Sequence, residues 1–529
     1  MTSECIRYDV AGMLNQLTRD YLDQQKSLSN FYQYEPEIES FEKLIEDRKS
    51  VSVNRELLAT SLEKQYIEAG NGQSPALANI RLLRDENTFT VVTGHQLNLF
   101  TGPLYFIWKI LSTINLTQQL KEKHPNYNFV PVYWMASEDH DFDEVNHTTV
   151  FGKKYSWQSN EKGAVGRFST DGIADVLETL KKDTSRLNGG SDWYKILEEA
   201  YEKPTVAQAT HHIVDSLFGD SGLIIVDGDD ADLKQAFIPI MKRDILEQKA
   251  NSLIEDAADD LEKLGYKKQV TPREINLFYL KNGLRERIVP GGDQFTILNT
   301  EISFSEEEIL KELENHPERF SPNVALRPMY QETILPNLAY IGGGAEVAYW
   351  LELKRAFDAY DVFYPMVLLR NSVLVLNERA QKKQHQLELE TFEIFQPYHD
   401  LAKKVVKQAT REILSFQRER QDLSAIFDRI RERMQQADPT LRDSAEAAEV
   451  KHLHYINNLE KKLLRAEKRN NDVLMQRIDD LKAEIEPNGI FQERIVNVTQ
   501  LICEHGISVI SDVQNHLDPM CFELTVVRS

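Results

Sequence analysis

The 529-residue sequence is short of cysteine: only Cys5, Cys503 and Cys521 occur. None stands in a CxxC pair, so neither a disulfide scaffold nor a thiolate zinc site is expected, and the usage suits a reducing cytosol. Long apolar runs are missing too, none reaching the roughly 18 uninterrupted residues that cross a bilayer. The opening MTSECIRYDV shows no basic stretch followed by an apolar one, so no signal peptide is expected. Positive charge is also scarce, with 62 Lys and Arg against 84 Asp and Glu, a formal net charge of −22. That field repels phosphates, and no Lys/Arg stripe interleaved with aromatics offsets it. A cytoplasmic protein with no membrane and no nucleic-acid partner is therefore expected, though one local basic pocket for a small anion stays compatible.

What is present is apolar residue enough, 41%, for a sizeable interior, in a chain long enough to need two or more structural units. Residues 1–85 read as an N-terminal helical segment. FTVVTG (Phe89–Gly94) is a short β-branched run, followed by a buried helix starting near Pro103 and a second apolar strand at Asn128–Ser137. Strand–helix–strand signals a parallel sheet with a right-handed crossover. GLIIVDGDD (Gly222–Asp230) and VFYPMVLLR (Val362–Arg370) are further strand candidates, the latter reached from a helix over Glu346–Tyr360. The fold class is thus α/β, an open, doubly wound parallel sheet over 86–370 with insertions at about 232–320. From 371 to 486 Gln, Glu, Lys, Arg and Leu dominate. Val406, Ala409, Ile413, Phe416, Arg420, Leu423, Phe427, Ile430 and Met434 form a heptad seam. Pro439 breaks it, and Leu474, Ile478, Leu481 and Ile485 resume the spacing, which predicts an antiparallel coiled-coil hairpin. Residues 487–529 return to the core.

Chemistry is sought where ligands gather in α/β sheets, at the carboxyl ends of strands. TGHQLNLFTGP (Thr93–Pro103) offers Thr93, Gly94, His95, Gln96 and Thr101 ahead of a helix N-terminus, a place for a phosphate or carboxylate. It lacks the P-loop spacing. MASEDHDFDEVNH (Met135–His147) concentrates Glu138, Asp139, His140, Asp141, Asp143, Glu144, Asn146 and His147 directly after a strand. Such groups orient an imidazole, act as bases or hold an ammonium; without HExxH or a comparable pattern, no metal site is expected. The third segment, Ala325–Trp350, supplies Arg327 as a carboxylate or phosphate fork, Gln331, Glu332, and Gly342, Gly343 and Gly344 entering a helix with Glu346 in its first turn. Read blandly, the three segments are a Gly-bounded turn, a solvated acidic loop and a hinge. Asp227 is a candidate for a ribose hydroxyl and Arg494 for a phosphate, whereas His211 and His212 need no ligand on a helix face.

Taken together, TGHQLNLFTGPLY, PVYWMASEDHDFDEVNH, GLIIVDGDD, LRPMYQETILPNLAYIGGGAEVAYW and PNGIFQER resemble the BshC family, the cysteine-adding enzymes of bacillithiol biosynthesis. These strings run in order from Thr93 to Arg494, so the resemblance covers most of the chain. It implies a Rossmann-like core of the nucleotidylyl transferase type with connecting-peptide insertions, and a coiled coil used for homodimerisation. It also implies a nucleotide, ATP or ADP, in a pocket distinct from the main cleft, and leaves Mg²⁺ open. The family's usual TGQQ stands here as Thr93-Gly94-His95-Gln96, and no KMSKS-like loop is present.

The implied reaction is that of a ligase forming a carbon–nitrogen bond, an amide between the carboxyl of cysteine and the amine of glucosaminyl malate. The carboxyl would be activated as an acyl-adenylate or acyl-phosphate. Glu138, Asp139, His140 and Asp141 are expected to grip the amino sugar or serve as general base. The first 93–101 loop, Arg327 and the triple glycine are expected to recognise phosphate or carboxylate. The competing readings are a non-catalytic ligand-binding or scaffold protein that uses the coiled coil, and a tRNA-modifying relative of the synthetases, against which the negative charge argues.

Overall fold

β-Branched and aromatic runs buried on both faces build the centre of the molecule, as the near-continuous apolar text of parallel strands requires. In chain order the elements around it are β1 (Thr88–His95), α1 (Tyr105–Lys123), β2 (Asn128–Met135), β3 (Ile224–Asp227) and α2 (Ala231–Glu247). Then come β4 (Leu277–Lys281), β5 (Leu284–Gly291), β6 (Gln294–Ile297), β7 (Ser303–Ser305) and β8 (Phe320–Pro322). The core is completed by α3 (Arg327–Ile334), β9 (Asn337–Gly342), α4 (Gly344–Ala359) and β10 (Met366–Leu369). The computed structural model describes residues 1–410 and 415–529.

The main sheet has the order β10-β9-β1-β2-β3, and every neighbouring pair is parallel. The chain steps from β1 outward through β2 to β3, then returns to the other side of β1 for β9 and β10. That reversal between β1 and β9 is a topological switch point, where the loops leaving two adjacent strands diverge and open a crevice. One face of the sheet packs Phe89, Val91, Ala339, Ile341, Met366 and Leu368 against Leu116 and Leu120 of α1 and Phe41, Leu44 and Ile45. The region read as insertions holds α2 and a second, antiparallel sheet, β7-β6-β5-β4-β8. The sequence reading did not assign β9 as a strand. Its six residues follow Pro336 and end on Gly342, the first of three glycines, so proline and glycine punctuate both ends of a very short apolar run.

Two compact units divide the chain: residues 1–9, 13–374 and 490–527 form the first, and 10–12, 375–489 and 528–529 the second. In the second, helices α5 (Tyr398–Thr410), α6 (Gln417–Ala437), α7 (Arg442–Asn470) and α8 (Asp472–Ile485) succeed one another. Ion pairs Arg420–Glu460 and Arg431–Glu449 run in opposite senses along α6 and α7, so the two are antiparallel about the turn at Pro439–Leu441. Of the heptad positions, Phe427 is buried, Leu423 and Met434 are half-buried and Ile430 is exposed, because a two-helix arm covers each seam residue from one side only. Ile413, and the side chain of Ala409, lie outside the described residues. No helix among the described residues is long and apolar enough to cross a membrane.

Within the first unit, the chain that follows β10 is tied down by one buried ion pair. Arg370 gives Nη1 and Nη2 to Glu493 at 2.9 and 2.7 Å, and the same carboxylate accepts the Val373 N–H at 3.0 Å. Both side chains are almost fully buried. Removing one partner leaves the other charge desolvated and alone, so Glu493→Ala is expected to cost about 3–5 kcal/mol. Urea denaturation of the variant checks this, and a loss under about 1 kcal/mol would contradict the assignment.

Candidate functional site

A cavity of about 330 Å³ opens at the switch point. Gly94 and His95 from the end of β1, Trp134 from β2 and Ala136 just after it, Tyr340 from β9, and Glu346 and Tyr349 from α4 line it, with Arg327 of α3 and Asp139. Gly94 lies against the same groups: a Cβ there would stand 3.4 Å from the Tyr340 hydroxyl and 3.7 Å from Arg327 Nη1, ordinary contact distances.

Lys109, on the second turn of α1, bridges both sides of the reversal. Its Nζ donates to the Gly94 carbonyl at 2.8 Å and meets Glu346 Oε2 at 2.5 Å. Glu346 is shared further, accepting the Tyr340 hydroxyl at 2.6 Å and the Gly343 N–H at 2.8 Å. Burial alone would raise the Glu346 carboxyl; against it, the Lys109 ammonium and the Gly343 N–H hold it down at about 2. The start of α4, expected to offer its free N–H groups to a ligand anion, thus donates the Gly343 N–H to its own Glu346, and the three glycines do not line the cavity.

Arg327 is placed differently. Nη1 donates to Gln331 Oε1 at 3.2 Å, a second bond engages Tyr349, and the guanidinium lies 5.9 and 5.6 Å from the ring centres of Trp134 and Tyr340. No carboxylate pairs with it among the described ion pairs, and it lines the cavity. Behind it, Gln331 and Glu332 are buried. Gln331 Nε2 donates to Glu332 at 2.7 Å, and burial raises the Glu332 carboxyl to about 7 against the pull of Arg48. These two hold the helix that carries Arg327 and do not reach the cavity.

The acidic segment after β2 splits its residues between separate tasks. Asp139 lines the cavity, with Gln96 Nε2 at 3.5 Å and Arg285 Nη2 of β5 at 3.6 Å; Gln96 also reaches Glu144 at 3.3 Å. Arg285 Nη1 donates to His140 Nδ1 at 2.6 Å, so the second sheet tethers this loop. Glu138 turns the other way, into a buried pair with Lys234 at 2.5 Å beside Asp229, itself held bidentately by Arg167 at 2.7 Å. Asp141 is exposed ahead of the short helix Phe142–Val145, and Asn146 is buried against His147. Asp227 takes the Ser137 hydroxyl and faces a separate cavity of about 420 Å³; burial, then the Asp229 charge, pushes its carboxyl up to about 7.

Of the expected residues, Gly94, His95, Gln96, Asp139, Arg327 and Glu346 therefore meet in one cavity. Thr93 is buried, giving its hydroxyl to the Ile341 carbonyl at 2.8 Å. Thr101 is buried at a φ of 73°, in a turn that Asn497 pins by donating to the carbonyls of Phe100 and Gly102 at 2.7 and 2.6 Å. Arg494 is exposed, and its charge reaches Tyr105 at the cavity wall. Sequence reasoning missed Lys109, Tyr340, Tyr349 and Asn497. Lys109 carried a signal, a lone cation inside the apolar helix text FIWKIL; the others carried none.

A parallel sheet of this order with a cavity at its switch point defines a Rossmann-like protein. The family model described as the N-terminal Rossmann-like domain of bacillithiol biosynthesis BshC matches residues 1–371, and that of the C-terminal coiled-coil domain matches residues 373–529. The chain belongs to the BshC family of bacillithiol biosynthesis. Relatives named "Putative cysteine ligase BshC" occur in Flavobacterium johnsoniae, 44% identical over the whole of both chains, and in Flavobacterium psychrophilum, 41% identical over the whole of both. The counterpart in Christiangramia forsetii is 41% identical over 98% of each chain. An arginyl-tRNA synthetase structure from Thermus thermophilus aligns over 80% of this chain and 81% of its own at 12% identity, with a TM-score of 0.17, too slight to carry an argument.

His95 stacks on Phe106 at 5.0 Å between ring centres, and its Nε2 is buried with no hydrogen-bond partner among the described residues. Burial, then the nearby Lys109 charge, lowers the imidazole to about 3, so it is neutral in the folded protein. The unfolded chain takes up this proton near pH 6.5, so stability contributed by a neutral His95 is whole above that pH and drains away as pH falls toward 3. Between pH 7 and 5, His95→Gln is expected to lose about 1–2 kcal/mol less stability than the parent chain. Urea midpoints at the two pH values measure this; parallel losses would refute it.

Proposed function

We propose that the switch-point cavity forms an amide, joining the carboxyl of L-cysteine to the amine of glucosaminyl malate as the last step of bacillithiol biosynthesis. The observation that carries this reading is the pairing, in one cavity of about 330 Å³, of a guanidinium with no carboxylate ion pair among the described residues, Arg327, and a carboxylate with hydrogen-bonding capacity left, Asp139. A small molecule with an anionic end and an amine end is what such a cavity accepts. The names of the relatives and the family membership support the choice of cysteine and of the amino-sugar conjugate.

Each residue then has a task. Arg327 holds a carboxylate or phosphate by its free N–H groups. Asp139, steadied by Gln96 and the Arg285 guanidinium, receives the substrate ammonium and takes its proton, leaving the amine lone pair to attack the acyl carbon. The C–N bond forms as the acyl C–O bond to the activating phosphate or nucleotide breaks, and that group leaves as its anion. His95, being neutral, offers Nε2 as a hydrogen-bonding partner and carries no charge to repel the ammonium. Lys109 is occupied by Glu346 and the Gly94 carbonyl, so it sets the shape of the cavity and is no nucleophile. A nucleoside triphosphate would supply the activation of the cysteine carboxyl; the donors left on Arg327 and the unpartnered His95 Nε2 fit an anionic group of that kind.

Arg327→Ala and Asp139→Asn are expected to stay folded and lose about 10²-fold or more in kcat/KM, whereas exposed Asp141→Asn changes it by less than about threefold. Amide formation from cysteine, ATP and glucosaminyl malate, followed by mass spectrometry alongside calorimetric titration of each, measures this. Parent-like rates in both cavity variants, or no binding of any of the three compounds, would remove the proposal. Exposed Ile426 and Ile430, one turn apart on α6, support pairing of two copies through the helical arm. Sedimentation is expected to show a dimer that Ile426→Glu with Ile430→Glu dissociates; a monomeric parent chain would end this reading.

A further inference from the structure

We propose that Cys5, Cys521 and Glu523 form a binding site for a thiophilic divalent cation of the zinc type, in the first unit but outside the cavity described above. One ligand atom from each, two Sγ and a carboxylate oxygen, lie within 4.8 Å of one another. Around a tetrahedral zinc, two thiolate sulfurs stand about 3.8 Å apart, so modest side-chain rotations bring the three atoms to coordinating distance. Their backbones are held in advance. Cys5 lies on the strand Thr2–Ile6, the sheet neighbour of the strand that begins at Leu524. Cys521 follows a turn closed by its N–H on the Asp518 carbonyl at 3.1 Å. Asp518 is itself fixed, its carbonyl accepting Asn371 Nδ2 at 2.7 Å and its Oδ1 accepting Gln119 Nε2 and the Met520 N–H, each at 3.0 Å.

The donor set selects the ion. Two sulfurs and one oxygen suit a borderline-soft metal and not Mg²⁺ or Ca²⁺, which take oxygen ligands. The fourth tetrahedral position is left to water or an incoming small thiol. Local charge favours a cation as well, since Asp518 adds to Glu523, and the nearby Arg7 is already engaged with Asp9 at 3.1 and 2.9 Å. A disulfide between the two cysteines would leave the convergent carboxylate without a role; a cation uses all three groups. Cysteine spacing along the sequence argues against such a site because the ligands join only when the last strand is laid beside the first.

The test uses the full chain, reduced and freed of metal, titrated with Zn²⁺ by calorimetry and with Cd²⁺ by the ultraviolet thiolate-to-metal band. One equivalent is expected to bind, with the band. Cys5→Ser and Cys521→Ser should each weaken binding by at least about tenfold and diminish the band. Glu523→Gln should weaken binding and keep the band, and Cys503→Ser should change neither. Cys5 is exposed, so its replacement leaves the core intact, and an unchanged urea midpoint in the absence of metal verifies that. Absence of binding, a band that survives Cys5→Ser, or conversion of the pair to a disulfide in the presence of metal would overturn the proposal.

Discussion

One buried ammonium organises the first unit's functional end. Lys109 is desolvated on the second turn of α1, among apolar side chains, and burial lowers its affinity for a proton. The arrangement holds because Glu346 and the Gly94 carbonyl meet the ammonium from two different strands' ends. Parallel strands that diverge at a switch point have no hydrogen bonds joining their outgoing loops. A charge shared between those loops takes the place of that missing ladder. The cavity's floor, the position of Tyr340 and the start of α4 all follow from where this ion pair sits.

The same economy of charge separates structural from available groups. Glu138, Asp229, Glu346 and Glu493 are each met by a cation at short range, and each is spent on holding elements together. Arg327 and Asp139 line the cavity with capacity left, Arg327 beside the rings of Trp134 and Tyr340, Asp139 on a loop tethered from the second sheet. A buried ion pair lends shape at high desolvation cost, while a half-paired group lends chemistry. The acidic sequence Glu138-Asp139-His140-Asp141 shows the division most sharply: neighbours in the chain point to a buried lysine, the cavity, an arginine and solvent in turn.

Much of this was legible beforehand. The strands β1 and β3 announce themselves by β-branched runs ending in glycine or carboxylate, β2 by its apolar run, and the arm by its heptad text and Pro439. The segments around Gly94, Asp139 and Arg327 stood out because polar groups at strand ends are costly unless they serve something. β9 was not assigned as a strand, since six residues between proline and glycine carry too little periodicity to distinguish a central strand from a turn. Tyr349 and Asn497 were equally invisible, because their roles depend on partners far away in the chain.

Local sequence determined which stretches become strands and helices, where turns fall and which segments bring polar side chains to the sheet's carboxyl edge, because those properties rest on spacing of a few residues. It also determined the net charge of −22, a field that repels phosphates. Tertiary structure alone decided which of four consecutive polar residues faces the cavity, that Glu346 and not a ligand caps the triple glycine, and that Cys5 lies beside Cys521. Direction and desolvation are properties of packed surroundings, and no short window of residues contains its own surroundings.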